Sequence, residues 1–444
     1  MGMRNFVGES TAFTAPGWVR DEQGRLARET KPHMGRRLPG FDYRQRRIYE
    51  ITVVLEERRP ILGRLVKSRG VSASGPGDAQ WAWSVEPSSW GKVVLDCWQK
   101  IPGHWPQVSL VECQLMPDHF HGILFVEAKL PRGKTLGNIV GGFKAGCTKG
   151  WREVAATSSL SRREPDGLPP SRREPDGLSL SRQEPDGQPP SRREPDGPAP
   201  SPTGDGIPRW ASGYVDVILF GKGQLERMVA YLRDNPRRLG IKREHPELFK
   251  VTRALNVAGI GWFSAIGNHF LLSRPVFHQI QASRRFFAYA RDTRGHIMKN
   301  APPAVATPEF KAKLDAALAA AKGGAVLVSP CISHGEREIA RRAFASGCRV
   351  ITLANKGFSP LYKPGGQLFE SCANGNLLML APAGWPYQPA EKPMTRLDAL
   401  VLNRIAQLIA GESASAIDYK GMSLENVDSE ARKYLTLGPK CSKL

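Results

Sequence analysis

The sequence predicts a two-part chain, an α+β domain with an antiparallel sheet and helices, followed by an α/β domain with a parallel sheet. Three observations carry that division. In the first half, short β-branched or aromatic runs bounded by turn residues are interleaved with single amphipathic stretches, the pattern of an antiparallel sheet with helices laid on it. From about residue 255, strand-like runs alternate with helix-like ones. Such alternation argues parallel, Rossmann-like strands joined by crossover helices. Between these parts, residues 161–200 repeat one polar unit four times: SRREPDG at 161, 171 and 191 and SRQEPDG at 181.

Composition bounds the partners. Across 444 residues, 63 Lys and Arg stand against 42 Asp and Glu, a formal charge of +21. Such an excess suits a polyanion, most simply nucleic acid. The repeat array is not its source, because it holds seven Arg against eight acidic residues. The seven cysteines, Cys97, Cys113, Cys147, Cys331, Cys348, Cys372 and Cys441, lack any C-x-x-C spacing. They read as reduced thiols in a cytosol, with no zinc site. The first thirty residues are Arg-rich without an apolar core, and no apolar run is long enough to span a bilayer, so neither a secretory signal nor a membrane partner is expected.

The elements follow in order. Residues 1–42 mix Gly, Pro, Arg and Glu without a period and read as a flexible basic leader, either a DNA-contacting arm or a solvated tail. Arg47–Leu55 alternates and is β-branched, a good first strand. Residues 68–79 read as a Gly/Ser-rich loop. Pro87–Ile101 carries Trp90, Val93, Val94, Cys97 and Trp98 on one helical face. Trp81, Trp83, Trp90, Trp98 and Trp105 crowd this region and serve either the core or stacking on unpaired bases. Lys134–Trp151 reads as a helix with Leu136, Ile139, Val140 and Phe143 inward and Lys134, Lys144 and Lys149 outward. The repeat units hold almost no apolar residue to offset their ordering entropy. Residues 157–205 therefore read as a disordered insert in a domain of 43–250, which the fold tolerates because long loops close cheaply.

The chemistry gathers at two stretches. Val108–Leu115 and the run from His119 form a hairpin through the Pro117-Asp118 turn. Alternate side chains of a strand share a face, so His119 and His121 project together. A pair like that is either two satisfied strand-end histidines or a grip on a divalent cation that needs a third donor. The second stretch begins at Gly223. Leu225, Met228, Val229 and Leu232 form one helical stripe, ended at Pro236. Tyr231 and Asn235, four apart, flank that stripe together. If this helix packs near the histidines, the set is two imidazoles, an amide oxygen and a phenol: a metal site plus a nucleophile. Hard oxygens around only two nitrogens favour Mg²⁺ or Mn²⁺. Tyr214 is a rival phenol, on a strand beside Asp216.

Taken in order, Met116-Pro117-Asp118-His119-Phe120-His121, Leu136-Gly137-Asn138 with Gly141-Gly142-Phe143-Lys144, Gly213-Tyr214-Val215-Asp216, and Tyr231-Leu232-Arg233-Asp234-Asn235-Pro236 resemble the single-tyrosine HUH transposases, in particular the REP-associated tyrosine transposases. The resemblance spans about residues 43–250 outside the insert. It implies an HUH domain of the ferredoxin-like or RRM-like kind, with Tyr231 as nucleophile and His119, His121 and Asn235 as metal ligands. It also implies Lys144, with Lys134 and Lys149, on DNA phosphates, where the bland alternative is a solvated basic face. The implied activity is cleavage and rejoining of single-stranded or hairpin DNA through a 5′-phosphotyrosine, in the bacterial cytoplasm and nucleoid, with a second copy of the chain as candidate partner. Rival readings are a nucleic-acid-binding regulator and a metal-dependent hydrolase that uses water.

In the second half, residues 324–330, 349–354 and 377–381 read as buried strands, and Ser333 as the cap of a helix from Glu336. The loop 329–335 before that helix reads as an anion seat. Gly259-x-Gly261 lacks the third glycine of a dinucleotide fingerprint. Leu397, Leu400, Val401, Arg404, Ile405 and Leu408 read as a final amphipathic helix, so the domain is placed at 255–412 and a tail at 413–444. This domain weakly resembles DprA-like Rossmann domains and is expected to be a scaffold or binding module for an unidentified ligand.

Overall fold

A computed structural model describes residues 18–20, 26–28, 38, 40–69, 81–160, 207–282, 286–288, 305–360, 362–388, 393–412 and 423–436. The chain divides into two compact units, Met1–Gly240 and Ile241–Leu444. The repeat array at 161–200 lies outside the described residues, as does most of the leader. Within the leader, Trp18–Arg20 and Leu26–Arg28 pair as a short antiparallel hairpin, so it is not irregular throughout.

The first unit is built on β1 (Arg47–Val54), β4 (Val108–Leu115), β5 (His119–Val126) and β6 (Val215–Leu219). They form an antiparallel sheet in the order β4-β5-β1-β6. Beside it, β2 (Gly63–Arg69) and β3 (Trp81–Pro87) make a separate hairpin. Helices α1 (Ser89–Gln99) and α2 (Leu136–Leu160) cover one face of the sheet. On that face Phe120 lies 5.1 Å from the Trp98 ring and 5.4 Å from Phe143. Tyr49, Ile51, Val53, Leu124 and Trp151 complete a closed core, each large side chain contributing about 1.5–3 kcal/mol by leaving water. Trp98 is buried there, as a core reading of that tryptophan requires.

Two boundaries differ from expectation. The lysine-bearing helix begins at Leu136, because Asn138 Oδ1 accepts the Thr135 amide at 2.8 Å and holds the preceding turn; Lys134 sits in that turn. The tyrosine helix, α3 (Gln224–Glu244), runs through Pro236 instead of ending there. Proline forfeits one backbone hydrogen bond, and here the helix continues for two turns beyond that loss.

The second unit is a mixed sheet. β9 (Phe277–Gln279), β10 (Val326–Ser329), β11 (Val350–Leu353) and β12 (Leu377–Pro382) run parallel. The hairpin of β7 (Thr252–Val257) and β8 (Gly261–Gly267) continues it antiparallel beyond β12. Gly259 belongs to the tight turn of that hairpin, with φ at 74°. Strand alternation sorts the core. Leu327 and Val350 face α4 (Pro308–Lys322) and α5 (His334–Ala345). Val326, Val328 and Ile351 face α7 (Arg396–Ala410) and α8 (Leu424–Thr436). The last helix lies where a tail is expected. Val427, Ala431 and Leu435 are buried along it at helical spacing, so residues 424–436 belong to the core. A shorter α6 (Gly366–Ala373) precedes β12.

One glycine decides how closely the back face supports β5. A methyl at Gly122 would stand 2.4 Å from Trp98 Cη2. Gly122→Ala should therefore cost about 1–3 kcal/mol through overpacking. Urea denaturation of the two proteins would check it.

Candidate active site

Strand register brings the two histidines together. Thr52 pairs with His121 and Val54 with His119 across β1 and β5, and Gln114 pairs with His121 across β4. Phe120 fills the back face, so His119 and His121 occupy the other. Their Nε2 atoms converge at 3.1 Å. Each ring is held from behind by a carboxylate. Asp118 Oδ1 lies 2.5 Å from His119 Nδ1, and Glu50 Oε1 lies 2.8 Å from His121 Nδ1. The Thr52 hydroxyl donates to Glu50 at 2.9 Å and lies 2.9 Å from the same Nδ1.

Carboxylates at both Nδ1 atoms favour the Nδ1–H tautomer, which leaves both Nε2 lone pairs aimed at one volume. Two lone pairs at that separation repel unless a cation lies between them. Nitrogens 3.1 Å apart fit neighbouring positions around one ion with bonds of about 2.0–2.2 Å. Burial holds the His119 imidazole below its ordinary pKa despite its bond to Asp118, which favours the neutral ring. Burial alone would raise Asp118. Its hydrogen bonds to His119 and Arg58 outweigh that and hold it below the usual carboxylate value. Among the described residues no group of three or more His, Cys, Asp or Glu is arranged to hold a metal.

The tyrosine helix lies on this face. The Tyr231 ring is 6.4 Å from the His121 ring, nearly perpendicular to it. Arg233 donates to Glu112 on β4 at 2.7 Å and ties the helix down. Tyr231 is 45% exposed, so a large substrate can reach it. Asn235 is only 9% exposed, and its amide nitrogen has no hydrogen-bond partner among the described residues. An orphaned buried amide one helical turn from Tyr231 fits a donor role, since the amide's two ends exchange by a simple flip. The Arg238 guanidinium lies 5.8 Å from the centre of the Tyr231 ring. The rival phenol, Tyr214, packs against the core on the opposite side of the sheet.

The lysines are placed differently. Helix α2 lies on the back face, as its Phe143 contacts show. Lys144 donates to the carbonyls of Ala211 at 2.6 Å and Gly213 at 2.8 Å, and burial lowers its pKa. Two of its three N–H donors are thus taken by backbone. Lys149 is exposed along a groove between α1 and α2, and Lys134 is exposed in its turn. Glu50 escaped the sequence reading because its partner is set by register, and only an acidic residue inside an otherwise β-branched run marks it. In the second unit the expected anion seat is already filled. The Glu336 carboxylate accepts the amides of Ile332 at 2.7 Å and Ser333 at 3.1 Å, while Ser333 caps the helix. A side chain of the helix occupies the place of an external anion.

No protein-family model and no curated protein matches this chain. Among solved structures, that of a REP-associated tyrosine transposase bound to a REP hairpin matches at 12% identity and a TM-score of 0.23, covering 46% of this chain and 74% of that one. No helix among the described residues is long and apolar enough to cross a membrane.

Lys144 offers a direct test of its two readings. If it tethers the 211–213 loop, Lys144→Met leaves two carbonyls without partners and costs about 1–3 kcal/mol in urea denaturation. A phosphate contact predicts unchanged stability and weaker, less salt-sensitive DNA binding.

Proposed function

We propose that this chain is a DNA strand transferase that cuts and rejoins single-stranded or hairpin DNA through Tyr231. The observation that supports it most is the pair of converging Nε2 atoms, each ring braced by a carboxylate, with a half-exposed phenol 6.4 Å from the His121 ring. The quoted motif order and the +21 charge agree with a nucleic-acid substrate. His119, His121 and Asn235 would hold Mg²⁺ or Mn²⁺, which supplies a Lewis acid that polarises the scissile phosphate.

The chain's own residues do the rest. Glu50 and Asp118 hold the imidazoles in one tautomer and orientation. Arg233, anchored on Glu112, fixes the pitch of the tyrosine helix over the sheet. Arg238 places positive charge beside the phenol, where a phosphate approaches. Tyr231 Oη forms a bond to phosphorus as the phosphorus–O3′ bond breaks. The phenol loses its proton and the departing 3′ oxygen gains one, leaving a 3′-hydroxyl and a 5′-phosphotyrosine. That ester conserves the phosphodiester energy, so the reverse attack rejoins DNA without ATP.

The test is a denaturing-gel assay for covalent adduct on a labelled single-stranded hairpin with Mn²⁺. Wild type should form the adduct. Tyr231→Phe should bind the hairpin and form none, and His119→Ala should form none. A Tyr231→Phe protein that cleaves at the wild-type rate would point to a water nucleophile, and a wild type that binds without cleaving to a regulator. Glu50→Gln and Asp118→Asn should each raise the Mn²⁺ needed for half-maximal adduct by about 10–100-fold.

A further inference from the structure

The second unit holds a cavity that the reaction above does not use. It has a volume of about 330 Å³ and lies between α5, α6 and the ends of β10 and β11. Crevices outside the carboxyl ends of parallel strands are where open α/β sheets take ligands. Its walls are apolar: Pro330, Ala340, Phe344, Leu353, Leu368 and Met379. Thr352 and Met379 are register partners on adjacent strands and share the face beneath it.

Of the polar residues along it, Gln367 donates to the Arg341 carbonyl at 3.3 Å and the Cys331 thiol faces the Ser329 carbonyl, and two others bear on a ligand. The Thr352 hydroxyl is buried, on a residue 9% exposed, and has no hydrogen-bond partner among the described residues. A buried hydroxyl left unpaired costs free energy that a ligand could recover. Arg337, at the rim, is exposed and makes no side-chain hydrogen bond or ion pair among the described residues. Its neighbour Arg341 is committed to both oxygens of Glu338 at 2.7 Å. The cavity therefore offers one uncommitted positive charge outside and one hydrogen-bonding group inside. A nucleoside polyphosphate is a poor match, because the helix N-terminus that would cradle its phosphates is closed by Glu336.

We propose that this cavity binds a small aromatic monocarboxylate whose ring carries a hydrogen-bonding group. The carboxylate pairs with Arg337 at the rim, the ring lies among Phe344, Leu368 and Met379, and the inner polar group meets Thr352. Nothing in this depends on Tyr231, so the site stands or falls apart from the strand-transfer reading.

The probe is indole-3-acetate, titrated into the full chain by calorimetry, with uncharged indole and adenosine monophosphate as comparisons. Saturable one-to-one binding of indole-3-acetate is expected. Arg337→Gln should weaken it about tenfold, equivalent to about 1.4 kcal/mol, while leaving indole unchanged. Ala340→Phe should fill the cavity and abolish both. Thr352→Val keeps the shape and separates binding from folding. It should raise the Tm of the ligand-free chain by removing an unpaired hydroxyl, yet weaken the probe roughly three- to tenfold. No saturation by about 1 mM, equal binding in a folded Ala340→Phe protein, or tighter binding of adenosine monophosphate would each overturn the proposal.

Discussion

Everything at the first unit's site depends on two imidazoles that would rather not meet. Their Nε2 atoms face each other at 3.1 Å because two carboxylates hold the far side of each ring. Neither histidine could keep this pose alone, since a free imidazole would rotate to separate the lone pairs. The brace is asymmetric in origin. Asp118 comes from the turn before its own histidine, whereas Glu50 comes from the neighbouring strand, 71 residues earlier. One is a product of local turn chemistry and the other of sheet register, so the site exists only when both turn and sheet are formed.

That requirement explains why the back face is packed as it is. A one-residue slip of β5 against β1 would turn both imidazoles into the core and Phe120 out to solvent. The ring contacts among Phe120, Trp98 and Phe143 oppose the slip, and Gly122 admits Trp98 against the strand itself. Lys144 serves the same end from the rim, by fastening the 211–213 backbone next to the edge strand β6. Rigid support lies behind the histidines, and in front of them, among the described residues, lies a helix tied to the sheet by the Arg233–Glu112 pair. In the proposed reaction such a division would keep the imidazoles fixed while leaving the phenol open to a strand.

Legibility in the sequence followed range. The His-x-His face, the hairpin turn at Pro117-Asp118 and the Tyr231–Asn235 flank are read within a few residues, and the structure puts both stretches on one side of one sheet. Glu50 was invisible because strand pairing is a long-range fact. Pro236 misled because a local penalty was outweighed by the helix on either side of it. The anion seat at 329–335 was read correctly as a helix N-terminus, but the capping Glu336 three residues beyond Ser333 is itself an anion. A Ser-x-x-Glu box at the start of a helix argues for a closed end. The residues expected as a tail do carry the period of helix α8, with Val427, Ala431 and Leu435 recurring at helical spacing.

The distribution of charge joins these points. The tyrosine helix α3 is rich in positive side chains. Its 21 residues carry six basic groups, Arg227, Arg233, Arg237, Arg238, Lys242 and Arg243, against Glu226, Asp234 and Glu244. Asp234 binds Arg237 at 2.6 Å and approaches Arg238 at 3.7 Å, and Glu112 takes Arg233. These pairs hold Arg233, Arg237 and Arg238 in place, with Arg238 beside the Tyr231 ring, and the helix keeps more basic than acidic groups. In the proposed reaction a strand drawn by that charge toward α3 is drawn to Tyr231 by the same helix. Attraction and attack therefore share one element, and its placement over the two imidazoles is what would make binding productive.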